Sequence, residues 1–282
     1  MNDETWSNAL FPDAPSDEDY VWELFHENSK TGRYGHYVPD DRVASRMIRM
    51  TDSLSYEGYP VFDLPDPGEG FDVPLGEALV GRVSPKGLEP VALPLAQLSS
   101  ILYAGYGVTR MNETTDFLRP FRTVPSGGAL YPLEIYLTGK HVDGLKAGLY
   151  HFSPPKHRLH LLRTGDLAPE LSQALVEFQA DLAFDASVIL IVTALFERST
   201  FKYGARGYRF ALMEAGHSAQ NINLAATALN LGCYNLGGFY DRTVDAFLGL
   251  DGLHQSTVYM IAIGGRTGQH EAPHRFTREG GT

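Results

Sequence analysis

A sheet with helices packed on its faces, α/β or α+β, is the fold this sequence predicts. Three observations lead there. The run ASVILIVTALF (186–196) is short, continuous and rich in β-branched residues, so it reads as a strand covered on both sides. STVYMIAIGG (256–265) reads as a second buried strand. Between them FKYGARGYRFALMEAGHSAQNINLAATALNLG (201–232) has the spacing of a long amphipathic helix. Helices and strands alternate through this second half with no internal repeat.

The remaining elements follow in chain order. Residues 1–50 are polar with helical character, and YVWELFHENSK (20–30) is the firmest piece. Residues 55–80 are rich in Pro, Gly and Asp and read as an extended connection. PLAQLSSILYAGYGV (94–108) has apolar residues at helical spacing and a glycine stop. LEIYLTG (133–139) and AGLYHFSPPKHRLHLLRTGD (147–166) read as strands, with SPPKH as a turn. LAPELSQALVEFQADLAF (167–184) reads as one amphipathic helix.

Bulk properties narrow the function. The 282 residues are 43% hydrophobic, enough for one large domain or two small ones. A formal charge of −11 argues against binding a phosphate backbone. The acid is scattered, with a cluster at PDAPSDEDY (12–20). The single Cys233 excludes an internal disulfide and a cysteine-based zinc site, and it reads as a small buried hydrophobe. No signal peptide and no membrane-spanning apolar run appears, so a cytoplasmic location is expected.

Three glycine-rich stretches stand beside Ser or Arg: RTVPSGGALYPLEIYL (122–137), NLGGFYD (235–241) and IAIGGR (261–266). Gly127 and Gly128 permit backbone shapes that other residues avoid. Ser126 and exposed N–H groups suit an anionic or carbonyl-rich ligand. Arg266 can offer a guanidinium to a phosphate. Together these suggest a nucleotide-like cofactor, although neither the dinucleotide fingerprint nor a P-loop occurs. Glu214, His217, Gln220 and Asn221 tempt a metal or catalytic reading, because Glu214 and His217 share a helix face. With no second His pair, they read as structural or dimer packing, and no metal is expected. His26 reads as packing or substrate-side.

FHENSK, LPLAQLSSILYAGYGVTR, RTVPSGGALYPLEIYL, AGLYHF, KYGARGYRFALMEAGHSAQNINLAATALNLG, LGGF and IAIGG occur in one order. In that order the chain resembles the SagB-type dehydrogenases, a branch of the nitroreductase-like flavoproteins. The resemblance runs from Tyr20 nearly to the end. It implies an α+β fold with a central mixed sheet, and FMN held at a homodimer interface. It also implies oxidation of thiazolines or oxazolines to thiazoles or oxazoles, on a peptide or a carrier-bound intermediate. Residues 1–80 would form a helical and extended segment of the substrate and dimer surface, and 81–282 the FMN-binding domain.

The same resemblance assigns residues. Arg122, Pro125, Ser126, Gly127 and Gly128 would line the flavin, and the Gly237–Gly238 backbone would approach flavin N5. Ser29 and Lys30 stand where the phosphate motif begins, and Arg266 or Arg275 would complete it. Lys202 and Tyr203 match a pair held to act in proton removal. Aromatising an azoline removes a hydride, which the flavin takes, and a proton, which needs a base. Oxygen would reoxidise the flavin. Either residue of the pair qualifies as base; the plainer alternatives are a solvated lysine and an interface aromatic. With little room for a leader-binding domain, recognition would come from a cyclodehydratase complex or a peptide-synthetase carrier. Rival readings are an NAD(P)H-dependent nitro or quinone reductase and a flavin-free scaffold.

Overall fold

The computed structural model describes residues 21–33, 38–113 and 119–267. The chain forms two compact units that divide between Tyr37 and Val38. The first holds one described helix, α1 (Val21–Asn28), with no fully buried residue. The second begins at Val38.

Three helices of the second unit start directly after a proline: α2 (Asp40–Arg49), α3 (Leu75–Gly81) and α4 (Leu95–Tyr106) follow Pro39, Pro74 and Pro94. Each proline fixes an extended backbone that ends the preceding loop. The stretch expected as a plain connection therefore contains α3, and also a short strand, β1 (Val61–Asp63). β2 (Gly87–Glu89) precedes α4, and β3 (Val108–Asn112) pairs with β4 (Arg119–Arg122) in a small separate ribbon.

The main sheet has eight strands. β5 (Leu133–Gly139), β6 (Gly148–Ser153) and β7 (Arg158–Thr164) form a meander, and β8 (Val188–Leu195) and β10 (Gln255–Thr267) extend it. The order is β1-β7-β6-β5-β8-β10-β2, with β9 (Gly232–Leu236) also paired to β10. Every ladder between named strands is antiparallel, where a mixed sheet was expected. The cause is local: short turns join β5 to β6 and β6 to β7, and a tight turn can only reverse the chain.

Alternation along the strands creates two cores. Leu133, Ile135 and Leu137 of β5, with Val188, Leu190 and Val192 of β8, face one side. There they meet α4 and the 24-residue helix α8 (Ala205–Ala228), through Leu98, Ile101, Ala215, Ala219 and Ile222. A side chain on Gly105 would strike Ile222 at 2.6 Å, so this glycine sets how closely α4 approaches α8. Tyr136, Ile189, Ile191, Met260 and Ala262 face the other side. That face is covered by α5 (Ala168–Ser172), α6 (Leu182–Asp185) and α9 (Asp241–Leu248).

The single helix expected over 167–184 is broken in two. Leu175 forms a bridge to Phe239 and the Val176 N–H bonds to the Gly238 carbonyl, which draws the backbone out of helix there. α7 (Glu197–Tyr203) is likewise separated from α8 by Gly204, at φ 55° and ψ −143°. Among the described residues no helix is long and apolar enough to cross a membrane.

Candidate active site

Sheet register gathers three of the predicted segments at one end. β5 begins and β8 ends there, because Leu133 pairs with Ala194. Gln255, at the start of β10, pairs with Leu195 at that end too. β9 runs toward it, its last residue Leu236 paired with Met260. The loop 125–132, helix α7 and the Gly237–Gly238 turn therefore all leave the sheet on the same side.

The Lys-Tyr pair meets the glycine loop directly. A side chain built on Gly128 would lie 2.6 Å from the Tyr203 hydroxyl and 3.1 Å from Lys202 Nζ. Gly128 sits at φ 66°, and Ala129 and Tyr131 also have positive φ, at 52° and 45°. Left-handed backbone at non-glycine residues persists only where the surroundings hold it. Two hydrogen bonds do so: Tyr131 N–H donates to Ser126 Oγ at 2.9 Å, and the Arg122 N–H to the Tyr131 hydroxyl at 3.0 Å. Phe210 of α8 packs edge-on against Tyr203 with centroids 4.9 Å apart, and it also backs Gly127. Lys202 and Tyr203 are both part-buried, with Nζ 5.3 Å from the tyrosine ring centre. An amine and a phenol thus converge on one strained backbone turn.

A buried polar cluster lies beneath the loop. Glu214, 2% exposed, accepts a hydrogen bond from the Tyr106 hydroxyl, which itself accepts from the Leu133 N–H at 3.1 Å. Burial drives the Glu214 carboxyl up to about 7, against the opposing pull of the Ser126 and Tyr106 hydroxyls and the Arg122 charge. Arg122 stacks over the Tyr106 and Tyr131 rings at 4.1 and 5.0 Å and donates to the Asp52 carbonyl. Its Nε and Nη1 are buried without a hydrogen-bond partner among the described residues. Nothing in the spacing around Tyr106 or Tyr131 singles them out, so reading the sequence missed both.

A second cluster anchors α7. Glu134 of β5 accepts from Arg198 Nη1 at 2.7 Å, His151 Nε2 at 2.7 Å, the Leu54 N–H at 2.9 Å and Ser53 Oγ at 3.1 Å. Arg198 precedes Lys202 by one helical turn, so this pair fixes the helix that carries the predicted base. The polar residues of α8 do not converge: Glu214 is buried, His217 and Gln220 are exposed, and Asn221 donates to the Ala104 carbonyl. No group of metal-ligating side chains occurs among the described residues.

The other predicted positions differ in their surroundings. At Gly237 a side chain would meet open space; at Gly238 it would meet Val176 and Gln179 Oε1, the latter buried without a partner. Neither glycine N–H donates to a backbone carbonyl among the described residues. Arg266 is carried to the opposite end of the sheet, where it pairs with Leu88 and its Nε donates to the Leu231 carbonyl. Eleven residue steps of strand separate it from Gln255 at the site end, roughly 36 Å. Ser29 and Lys30 belong to the first unit, where Lys30 pairs with Glu27. Arg275 lies outside the described residues.

An antiparallel sheet with helices on both faces, and a glycine-rich turn facing a helix entry, define the class. The chain belongs to the nitroreductase family, whose model matches residues 79–265. Its similarities support the SagB-type branch. It is 40% identical to "Putative nitroreductase MJ1384" of Methanocaldococcus jannaschii, over 63% of this chain and 85% of that protein. It is 34% identical to the microcin B17-processing protein McbC of Escherichia coli, over 50% of this chain and 52% of McbC. The chain thus spans about half the length of McbC. Its fold matches a chain in the structure of the E. coli microcin synthetase McbBCD complex with truncated pro-MccB17 bound. The TM-score is 0.57 at 21% identity, covering 88% of this chain and 92% of the other.

Proposed function

We propose that the protein is an FMN-dependent azoline dehydrogenase, oxidising thiazoline or oxazoline rings in a peptide or carrier-bound substrate. The observation that carries this reading is the meeting of Lys202 and Tyr203 with Gly128. The positioned amine and phenol are what proton removal from an activated ring carbon requires. A reductase that receives hydride from a nicotinamide needs no such base.

The residues present fit a flat cofactor. Gly128 keeps the space in front of Tyr203 open, which any side chain would fill. Among the described residues the Gly237 and Gly238 N–H groups stand without backbone acceptors. Ser126, Gly127, Gly128, Gly237 and Gly238 would hold the cofactor, and Pro125 would border it. When bound, FMN supplies the two-electron acceptor for the departing hydride. Lys202 takes the ring proton. Tyr203 orients the amine through its ring and hydroxyl. Glu134 and Arg198 hold α7 still, and Glu214 with Tyr106 supports the loop from below. The similarity to McbC supports a partner of the cyclodehydratase kind, and we include a homodimer in the reading because the flavin site of the resembling family uses two chains.

The test is a visible spectrum of the purified protein, followed by anaerobic addition of a peptidyl thiazoline to wild type and Lys202→Ala. The expected result is a yellow protein bleached by thiazoline, with the rate lowered about 10²- to 10⁴-fold in the variant. Bleaching by NADPH but not by thiazoline would replace this reading with a reductase.

A further inference from the structure

Between α2 and α7 lie two adjoining depressions, of about 430 and 470 Å³, that share Arg46, Arg49 and Phe201. Arg42 lines the second. Arg42, Arg46 and Arg49 recur at helical spacing, so α2 presents them on one face. Their guanidiniums are lightly committed. Arg42 makes no ion pair or hydrogen bond among the described residues. Among the described residues Arg49 donates only to Ser45, through its carbonyl at 3.2 Å and its hydroxyl at 3.0 Å. Arg46 reaches Glu197 at 3.3 Å, with both side chains more than half exposed, and an exchangeable pair of that kind contributes little. Arg198 also lines the groove but is already held by Glu134. Asp41 and Glu197 are the two carboxylates on the rim, fewer than the three arginines of α2.

The groove is thus locally positive on a chain whose net charge is −11. Phe201 lies within it, under Arg46 at 5.1 Å, and the next residue in α7 is Lys202. We infer that this groove binds a carboxylate-bearing stretch of the peptide substrate, beside the ring that is oxidised. Guanidiniums pair with carboxylates in two-pronged geometry, and Phe201 offers an apolar floor for the intervening backbone. The groove therefore sets where such a peptide is held. This specificity rests on the azoline reading for the identity of the reacting ring, but binding is measurable apart from it.

The probes are a fluorescein-labelled Asp-rich peptidyl thiazoline and its Asn isostere, followed by fluorescence anisotropy on the full-length protein. Wild type should bind the Asp peptide about tenfold more tightly at low salt, and the preference should shrink as salt is added. The combined Arg42→Gln, Arg46→Gln, Arg49→Gln variant should lose the preference, whereas Arg110→Gln, on the separate ribbon, should keep it. A thermal melt confirms that each variant is folded. Equal affinity for the two peptides, or a preference that survives in the triple variant, overturns the inference. Turnover separates it from the underlying reading. An arginine-dependent preference without any ring oxidation supports the groove and removes the azoline reading. Oxidation of both peptides with one KM, in wild type and triple variant alike, removes the groove and leaves the reading.

Discussion

Glu134 and Glu214 are both buried glutamates within reach of the same arginines, yet the structure holds them in opposite states. Burial alone would raise each carboxyl. At Glu134 the His151 hydrogen bond and the Arg198 charge outweigh burial and bring it down to about 2. At Glu214 burial wins, and the carboxyl stands at about 7. The difference is in the partners. Glu134 has a guanidinium 2.7 Å away and three further donors. Glu214 has hydroxyl partners and, among the described residues, no ion pair. One carboxylate is therefore a permanent charge that clamps α7 to β5, and the other is a titratable support under the glycine loop.

The strongest way to break this contrast is Glu134→Gln. It leaves Arg198 buried opposite a neutral group, and loss of one partner of a buried pair costs about 3–5 kcal/mol. Urea unfolding at neutral pH measures it; a cost below about 1 kcal/mol would mean that the clamp is not what holds α7.

The pH dependence of stability comes next, and the two groups act with opposite sign. Glu134 is depressed below its unfolded value of 4.5, so its contribution is present above pH 4.5 and is lost as pH falls toward 2. Glu214 is raised above 4.5, so its contribution is full below pH 4.5 and is lost as pH rises through 7. The second limb amounts to at most about 3 kcal/mol. Glu214→Gln should flatten stability between pH 4.5 and 7 and leave the acid limb untouched. Denaturation midpoints across that range decide it, and an unchanged slope would return Glu214 to the same class as Glu134.

A smaller effect sharpens the comparison. Tyr106→Phe removes the hydroxyl that links Glu214 to the Leu133 N–H, at about 1–2 kcal/mol. Because that hydroxyl favours the carboxylate, the Glu214 limb should move to higher pH in the variant. Movement to lower pH would show that Tyr106 stabilises the protonated form instead.

Local pattern carried much of the fold. LEIYLTG became β5 residue for residue, and the β-branched run became β8, because burial on both faces leaves a plain apolar signature. The break at Val176 escaped notice because its cause, the Gly238 carbonyl, lies far along the chain. The antiparallel order was equally hidden, since β10 inserts between β8 and β2 through pairings with no local trace. At the site, glycines and the Lys-Tyr pair stood out as motifs, and the structure brings Gly128 against that pair. Arg266 was read from a strand end, yet register determines which end of a strand faces the site, and register cannot be read from one strand alone. Tyr106, Tyr131 and the Glu134–Arg198 pair carry no local signal because their partners are distant in sequence.

The 13-residue strand β10 has a consequence for how the chain is made. It supplies ladders to β8, β9 and β2 at once, yet it is translated after all of them. While the ribosome covers the sixty positions from Leu195 to Gln255, the apolar rim of β8 has no neighbour on that side. At elongation rates of about 5–20 residues per second that interval lasts roughly 3–12 s. An unpaired rim of valine and isoleucine is a template for joining another nascent chain. Yield in a host cell should therefore depend on translation speed and on chaperones that shield nascent chains, even where the finished protein is stable.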